Sequence, residues 1–231
     1  MPARGNATGK LIGSGRTADV YEIDEAWVLR RNREDWGDVA AEGAVMEHVR
    51  AHGYPVPRVR TEGSGASRTS RTDLVMERLT GPTMVEALVT GAIDAVEAGT
   101  VLASLLRRLH AIPGRRPGTR VLHLDLHPEN VILTPDGPRV IDWGTAEDGD
   151  PGLDWGLSAI ILAQVAVDDD QPVAEPARAL LVSLLADPSG LTGEGLAEAR
   201  RRRAVNPTMT AREVELLGVA EELVRSVALL P

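Results

Sequence analysis

Short apolar runs separated by polar turns fill the first eighty residues of the chain. The runs "KLIGSG", "DVYEID" and "AWVLRR" are each long enough for one strand, and the Gly- or Asp-containing turns between them predict an antiparallel meander. The runs "VPRVRT" and "TDLVMERL" predict two more strands, joined by a Gly- and Ser-rich hairpin loop at 62–72. Between these groups, Val45 and Val49 share one face of a helix predicted over 35–53, with Gly53 as its stop signal. This part of the chain is therefore predicted to be β-rich with one helix.

The remainder of the chain has mainly helical periodicity. Leu105 and Leu109 lie four residues apart within a stretch over 93–111 that predicts a strongly amphipathic helix. Residues 121–142 form a short apolar block in which "PDG" predicts a hairpin turn. From 151 onward the apolar spacing is mostly helical, and Thr210 is a predicted N-cap.

The "TGPT" segment at 80–83 marks the change between the two patterns. We therefore predict an α+β protein of two lobes, with a small antiparallel β lobe carrying one helix over 1–79 and a larger, mostly helical lobe over 80–231.

Composition narrows the classes of function. The formal net charge of −9 disfavours a general nucleic-acid binder and is compatible with a cationic small-molecule partner. The chain has no cysteine, which excludes disulfides, thiolate metal sites and a cysteine nucleophile. No segment approaches 18 uninterrupted apolar residues and the first residues do not resemble a signal peptide, so we expect a cytoplasmic protein without a membrane partner. The oligomeric state has no signature in the sequence.

The segment "HLDLHPEN" at 123–130 is the strongest candidate for chemistry. Its alternation places His123, Asp125 and His127 on one side of an extended segment, and such a set is compatible with a metal site. Catalytic zinc usually has three protein ligands, and the other histidines of the chain lie on predicted helices without a metal-binding context. A metal-dependent hydrolase is therefore the weaker interpretation.

The same segment fits a phosphoryl-transfer loop better. Asn130 follows Asp125 by the five residues of the kinase H-R-D-x-x-x-x-N loop, and Asp142 in "VIDWG" ends an apolar strand before a glycine, as in D-F-G. Asn130 and Asp142 supply the hard oxygen ligands that Mg²⁺ requires, while Asp125 orients and deprotonates an attacking hydroxyl. These three residues are the predicted catalytic set.

The combined pattern "HLDLHPENVIL…VIDWG…GDPGLDWG" resembles the aminoglycoside phosphotransferase family. The resemblance is specific over 121–156, and the order of elements agrees over nearly the whole chain. It implies a protein-kinase-like fold with ATP between a β lobe and a helical lobe, and phosphorylation of hydroxyls of small molecules such as aminoglycoside antibiotics. Leu124 stands where the family usually has glycine.

The resemblance assigns roles to the first lobe. It implies that the glycine-rich turn approaches the ATP phosphates through Gly13, Ser14, Gly15 and Val20. Arg30 takes the place of the family's phosphate-anchoring lysine, with Arg31 as the second choice, and Glu42 is the natural partner of Arg30. The segment "LVMERL" resembles the hinge that binds adenine, which assigns Met76 to the pocket and the backbones of Glu77 and Leu79 to hydrogen bonding.

Other side chains are assigned to support or to the acceptor. His123 and Asp154 are predicted to hold the catalytic loop. His127 is predicted to support the loop and to face the substrate. Asp148 and Asp150, with the "DDD" run at 168–170, are candidates for attracting a cationic acceptor.

These assignments predict an enzyme that uses ATP and Mg²⁺ to phosphorylate a hydroxyl of a small molecule, with Asp125 as the base. An aminoglycoside-like antibiotic or a related metabolite is the acceptor that the resemblance implies, and antibiotic resistance is one role open to it. A nucleotide-binding pseudokinase is the alternative because the usual lysine is replaced. A protein kinase is disfavoured because "GTAEDGDPGLD" is too short for an activation segment.

Overall fold

The computed structural model describes residues 9–15, 18–33, 38–60 and 72–230. The chain divides into two compact units, Met1–Thr80 and Gly81–Pro231, a division one residue from the predicted boundary. The hairpin loop predicted at 62–72 lies outside the described residues except for Thr72.

The first unit contains one antiparallel sheet and one helix. The strands follow each other in chain order across the sheet; they are β1 Leu11–Ser14, β2 Ala18–Glu22, β3 Trp27–Asn32 and β4 Asp73–Glu77. Helix α1 spans Val39–Ala51 and begins at Asp38, whose side chain accepts hydrogen bonds from the amides of Ala40 and Ala41.

Strand β3 gives the sheet its buried face. Val28, Arg30 and Asn32 are buried in alternation with more exposed neighbours, as the two-residue period of a strand requires. Helix α1 buries Val45, Met46 and Val49 as its apolar periodicity predicts. The arginine on the buried face must therefore be paired within the unit.

The strand predicted from "VPRVRT" does not form as a full strand. In the described part of that segment, pairing is limited to an isolated bridge between Val59 and Met76. Pro57 has no N–H to donate to a neighbouring strand, which explains why the ladder is interrupted.

The second unit is mainly helical. Its helices are α2 Met84–Thr90, α3 Ala95–His110, α4 Pro151–Ala166, α5 Ala174–Leu184, α6 Gly193–Ala204, α7 Ala211–Glu215 and α8 Leu217–Ala228. Two small antiparallel ribbons accompany them: β5 Arg120–Leu122 pairs with β8 Glu147–Gly149, and β6 Val131–Thr134 pairs with β7 Gly137–Val140. The "PDG" turn lies between β6 and β7 as predicted, whereas β8 was not foreseen.

Helix α4 is the core of the second unit. It is buried around almost its whole circumference and packs against α5, α6 and α8. A Cβ atom at Gly195 of α6 would lie 2.3 Å from the Gly152 carbonyl carbon of α4, so the two backbones touch there. Helix α6 is thereby held against the first turn of α4.

The last part of the chain is helical, with one break. Thr210 caps α7 in a capping box with Glu213, as its predicted N-cap role requires. The helix predicted from 210 onward is divided at Leu216 into α7 and α8. Within the ranges that the structure describes, no helix has the length and apolar character needed to cross a membrane.

Candidate active site

The segment between β5 and β6 carries Asp125 and Asn130, two of the three predicted catalytic residues, and the third, Asp142, follows β7. It leaves β5 at Leu122 and closes in a 3₁₀ turn over Pro128–Asn130. The Asn130 side chain lies against Asp125: its Nδ2 donates to the Asp125 carbonyl at 2.8 Å and to Asp125 Oδ2 at 3.1 Å, and it lies 3.2 Å from His127 Nε2. The loop therefore brings Asp125, His127 and Asn130 together, as the motif predicts.

His123 uses both of its ring nitrogens within the fold. Nε2 donates to the Ile141 carbonyl at 3.0 Å, and Nδ1 accepts the Asp125 amide at 3.3 Å. The ring also meets Trp143 edge-on, with centroids 4.7 Å apart. With both nitrogens occupied, His123 connects the Asp125 and Asp142 segments and is not a metal ligand. Among the described residues, no three His, Cys, Asp or Glu side chains converge on a point suited to a metal ion.

Asp154 fastens the catalytic loop to helix α4. Its Oδ2 accepts the His123 amide at 2.9 Å, and its Oδ1 accepts the Leu124 amide at 2.7 Å. His110, at the end of α3, lies with its Nε2 2.9 Å from the same carboxylate. Burial raises the pKa of Asp154, but the His110 and His123 hydrogen bonds outweigh it and hold the pKa below its ordinary value. The ionised carboxylate thus accepts hydrogen bonds from two consecutive amides of the loop. Its predicted role in supporting the catalytic loop stays a prediction.

Leu124 and Asp142 adopt left-handed backbone conformations, with φ of 66° and 62°. Non-glycine residues pay a steric cost there. The conformation of Leu124 accounts for the glycine that the family usually has at this place. In this chain the Asp154 hydrogen bond to the Leu124 amide helps to hold the leucine in it.

Asn130 and Asp142 have the donor atoms for the magnesium that the motif implies. The Asn130 side chain makes its hydrogen bonds through Nδ2, which leaves Oδ1 as a ligand atom. The Ile141 amide donates to the Asn130 carbonyl at 3.0 Å, so Asp142 follows directly on a residue bonded to Asn130. One amide oxygen and one carboxylate suit Mg²⁺, which usually completes its octahedral shell with water and phosphate oxygens.

Asp125 is ionised at neutral pH. Burial raises its pKa, but His127, with smaller contributions from the charges of His123 and Arg203, lowers it below the ordinary value. About a third of the side chain remains exposed, at 34%. An ionised, partly exposed carboxylate can accept a hydrogen bond from a hydroxyl, and its role as the base stays a prediction.

The glycine-rich turn of the first unit is only partly described. Gly13 pairs with Val20, Ser14 pairs with Asp19, and the Gly15 amide donates to the Ala18 carbonyl at 2.9 Å. Asp19 is hydrogen-bonded by Ser14 Oγ at 2.8 Å and is ion-paired with Arg33. These two contacts lower the pKa of Asp19, Arg33 having the larger effect. Arg33 has no local sequence signature, because its partner Asp19 lies on another strand.

Arg30 pairs with Glu42 inside the first unit. Nη1 of Arg30 lies 2.5 Å from Glu42 Oε2, and both side chains are almost fully buried. Arg31 points to the other face of β3 and binds Asp73 through two hydrogen bonds of 2.8 and 2.7 Å. Arg30, the first candidate for the place of the family's lysine, is therefore paired on the buried face of β3, whereas Arg31, the second candidate, is paired on the other face. Binding of phosphate by Arg30 stays a prediction.

Replacing Glu42 by Gln should lower the free energy of unfolding of the first unit by about 1–3 kcal/mol, because a buried guanidinium loses its charged partner. Glu47→Gln is the control, since Glu47 lies on the same helix and is only 3.8 Å from Arg50 in an exposed pair; its effect should stay within about 0.5 kcal/mol. Chemical denaturation measures both, and equal effects of the two substitutions would contradict the buried role of Glu42.

The predicted hinge begins within β4 and continues past its last residue, Glu77. Met76 pairs with Val28 across the sheet, and the Glu77 amide donates to the Arg58 carbonyl at 2.8 Å. The Glu77 side chain also accepts the Arg58 amide at 3.0 Å, so its carboxylate is used within the fold. Adenine recognition by the Glu77 and Leu79 backbones stays a prediction.

The acidic residues assigned to a cationic acceptor make contacts within the fold. Asp148 is buried and accepts the Arg116 amide at 3.0 Å, with Arg115 Nε at 3.4 Å, beside a cavity of about 490 Å³. Asp150 caps α4 by accepting the Gly152 amide at 2.8 Å. Asp168 is paired with Arg212 at 3.3 Å. These contacts favour structural roles for the three residues, and their predicted contact with substrate remains untested.

The fold and the loop together define a class, the phosphotransferases with a protein-kinase-like fold. A model of the phosphotransferase enzyme family, APH, matches residues 8–119 and 115–192. The chain belongs to this family.

Solved structures share the fold at low sequence identity. The gentamicin complex of APH(2″)-IIa aligns with a TM-score of 0.56 and 14% identity, covering 96% of this chain and 92% of that one. A thermostable mutant of aminoglycoside phosphotransferase APH(4)-Ia aligns with a TM-score of 0.52 and 16% identity, covering 96% of each chain. These similarities establish the protein-kinase-like fold.

Similarity to curated enzymes is local. A segment of 50 residues is 44% identical to the thiamine kinase of Salmonella paratyphi B, and the thiamine kinase of Salmonella newport matches equally. The segment is 22% of this chain and spans only 16% of the length of those relatives.

Proposed function

We propose that the chain transfers the γ-phosphoryl group of ATP to a hydroxyl of a small molecule. The bond between the γ-phosphorus and the β,γ-bridging oxygen breaks, a bond from that phosphorus to the acceptor oxygen forms, and the hydroxyl proton passes to Asp125. The observation that carries this proposal is the arrangement of Asn130, whose amide nitrogen holds Asp125 while its oxygen is left for a metal ion.

The proposal assigns roles to groups within each unit. In the first unit, the amides of the glycine-rich turn and the buried Arg30 bind phosphate oxygens, and the hinge backbone binds adenine. In the second unit, Asp125 orients the hydroxyl, and Asn130 and Asp142 hold Mg²⁺. When bound, Mg²⁺ would neutralise negative charge on the phosphates. Positioning and charge stabilisation then account for most of the rate.

The acceptor is the finer part of the proposal. Aminoglycosides occur in the titles of the structural neighbours, and thiamine in the names of the curated relatives. An aminoglycoside-like acceptor would make the chain an antibiotic-resistance enzyme, whereas a metabolite would make it a metabolic kinase. A cytoplasmic location is the corresponding prediction from the sequence.

A nucleotide-binding pseudokinase is the second candidate, and Arg30 is the observation that favours it. The guanidinium is larger than an ammonium group and is already engaged by Glu42, so it need not reach the phosphates as a lysine would. Arg30→Lys separates the two candidates, because in an active kinase it should preserve or raise turnover, while a pseudokinase should show none in either form.

The direct test combines binding with turnover. Thermal stability should rise with ATP only when Mg²⁺ is present, and Asn130→Ala should abolish the dependence on Mg²⁺. ADP formation should then depend on an acceptor drawn from aminoglycosides, thiamine, sugar acids and polyols. A protein without any nucleotide-dependent shift would contradict both the kinase and the pseudokinase, and a shift without turnover would select the pseudokinase.

A further inference from the structure

A cavity of about 490 Å³ lies in the second unit, where the connection between α3 and β5 meets β8. Its wall consists of Arg115 and Arg116 from the connection, Ala146 before β8, and Glu147 and Asp148 within β8. Its volume falls within the range of about 300–1,000 Å³ that is typical of small-molecule pockets. The proposed phosphoryl transfer assigns no role to this cavity.

The connection that carries the two arginines is folded into a closed turn. The Gly114 amide donates to the Thr119 carbonyl at 2.9 Å, and Thr119 Oγ1 donates to the Arg116 carbonyl at 2.7 Å. A Cβ atom at Gly114 would lie 3.2 Å from Asp148 Cγ, so the turn packs directly on β8. The backbones of the arginines are therefore already positioned, and a ligand would not have to order a loop in order to bind.

The buried Asp148 orients both arginines. Its Oδ2 accepts the Arg116 amide at 3.0 Å, and its Oδ1 lies 3.4 Å from Arg115 Nε. Its carbonyl accepts a hydrogen bond from Arg116 Nη2. The negative charge of Asp148 is therefore compensated within the wall of the cavity.

Most N–H groups of the two guanidinium groups are not used by the fold. Within the ranges that the structure describes, the Arg115 side chain donates through Nε and the Arg116 side chain donates through Nη2. A guanidinium has five N–H donors, so several remain on each residue. The Arg115 side chain is also 44% exposed, which leaves it accessible to a ligand. Two adjacent guanidinium groups with unused donors suit a phosphate or a carboxylate, which they bind through charge-assisted hydrogen bonds.

The charges around the cavity favour an anion over a cation. Glu147, the more exposed acidic residue of the wall, is paired with Arg202, whose Nη1 lies 2.5 Å from Glu147 Oε1. A cationic ligand would have to compete with Arg202 for Glu147 or with Arg115 for Asp148, whereas an anionic ligand would displace neither pair. Because the chain as a whole has a net charge of −9, its long-range field does not attract anions. Affinity for an anion would therefore report the local arrangement.

We propose that this cavity is a binding site for a small organic oxyanion, a phosphate ester or a carboxylate, held by Arg115 and Arg116. The volume of the cavity leaves room for the organic part of the ligand beside the oxyanion. Glu147 Oε2 can accept a hydrogen bond from a hydroxyl of that part. The proposal goes beyond the proposed phosphoryl transfer and does not depend on it, since neither nucleotide nor Mg²⁺ takes part in this binding.

The test compares probes of similar size and different charge. Glucose 6-phosphate, gluconate, glucose and glucosamine are titrated calorimetrically into the full chain at constant ionic strength. The titrations are made without nucleotide and again with Mg²⁺ and a non-hydrolysable ATP analogue, which occupies an ATP site if one exists. We expect the better anionic probe to bind at least about 10-fold more tightly than glucose in both series, and glucosamine to bind no more tightly than glucose. The two anionic probes distinguish a phosphate site from a carboxylate site.

Variants then locate the bound anion. Arg115→Gln and Arg116→Gln should each raise Kd for the better anionic probe by about 10-fold and leave Kd for glucose unchanged. Arg115→Lys should keep part of the affinity, because it keeps the charge but loses the planar guanidinium. Arg178→Gln is the matched control, since Arg178 is exposed on α5 of the same unit and does not line the cavity, and it should leave Kd unchanged. Melting curves show whether each variant remains folded, and Arg115→Lys provides the comparison if a Gln variant does not.

Several results would overturn the proposal. Equal binding of glucose and the anionic probes would show that the oxyanion is not recognised, and tighter binding of glucosamine would make the cavity a cation site. An unchanged Kd in both Gln variants would place the anion elsewhere, and an equal effect of Arg178→Gln would reduce the affinity to net charge. Absence of binding by both anionic probes would also reject the site. Failure of the proposed function is distinct from these outcomes, because ATP with Mg²⁺ would then give no thermal shift while the titrations without nucleotide would be unaffected.

Discussion

Asp125→Asn should lower kcat for phosphoryl transfer by about 10²- to 10⁴-fold, the range that removal of a positioned general base produces. The substitution keeps the size of the side chain but removes the negative charge that accepts the hydroxyl proton. Binding of ATP with Mg²⁺ should persist, since Asn130 and Asp142 are unchanged. Steady-state kinetics with a saturating acceptor, together with the thermal shift by ATP, measure the two effects separately.

A matched control for this substitution is Asp136→Asn. Asp136 is exposed in the turn between β6 and β7 of the same unit. Its replacement by Asn therefore removes the same negative charge at a position away from the catalytic loop. Its kcat should stay within about twofold of the original. If Asp125→Asn were as active as the unmodified chain, Asp125 would be rejected as the base. If neither protein showed turnover while both bound ATP, the pseudokinase interpretation would be favoured.

The second large effect is expected on stability. Asp154→Asn should lower the free energy of unfolding of the second unit by about 3–5 kcal/mol, as for removal of one charge from a buried network. The amide group of Asn would place an N–H donor against one of the backbone amides that Asp154 now accepts, so at least one hydrogen bond is lost as well as the charge. For a chain of this size the expected fall in melting temperature is about 6–20 °C.

The pH dependence of stability identifies the same carboxylate. Because the folded-state pKa of Asp154 is lowered, its contribution is fully present above the unfolded pKa of about 3.9 and is lost as pH falls through the folded value. Asp154→Asn should therefore flatten the acid limb of the stability curve. Asp169→Asn, at an exposed position, should leave both the curve and the melting temperature nearly unchanged. An Asp154→Asn protein with an unaltered acid limb would show that the carboxylate is not the anchor.

The catalytic loop could be predicted from the sequence because its chemistry depends on short spacings. Asp125, His127 and Asn130 lie close together in the sequence, so the local backbone geometry alone brings their side chains together. The amphipathic helix α3 and the hairpin after Thr134 follow from equally local patterns.

Other features depend on contacts between distant segments and have no local signature. The strand β8 has only three residues, too few for a period, and forms because Arg120–Leu122 lies beside it. Asp148 looked available for a cation because Arg115, its partner, lies on a different segment.

The left-handed backbone conformation of Leu124 determines at which stage of folding the loop can take its final shape. A leucine gains nothing from that conformation by itself, and a free peptide containing the loop would leave it for extended backbone. In the folded chain the Asp154 carboxylate of α4 holds the Leu124 amide. The loop therefore acquires its folded shape only when the first turn of α4 has docked. Under the proposed function, a nascent or partly folded chain would have no phosphotransferase activity before that step.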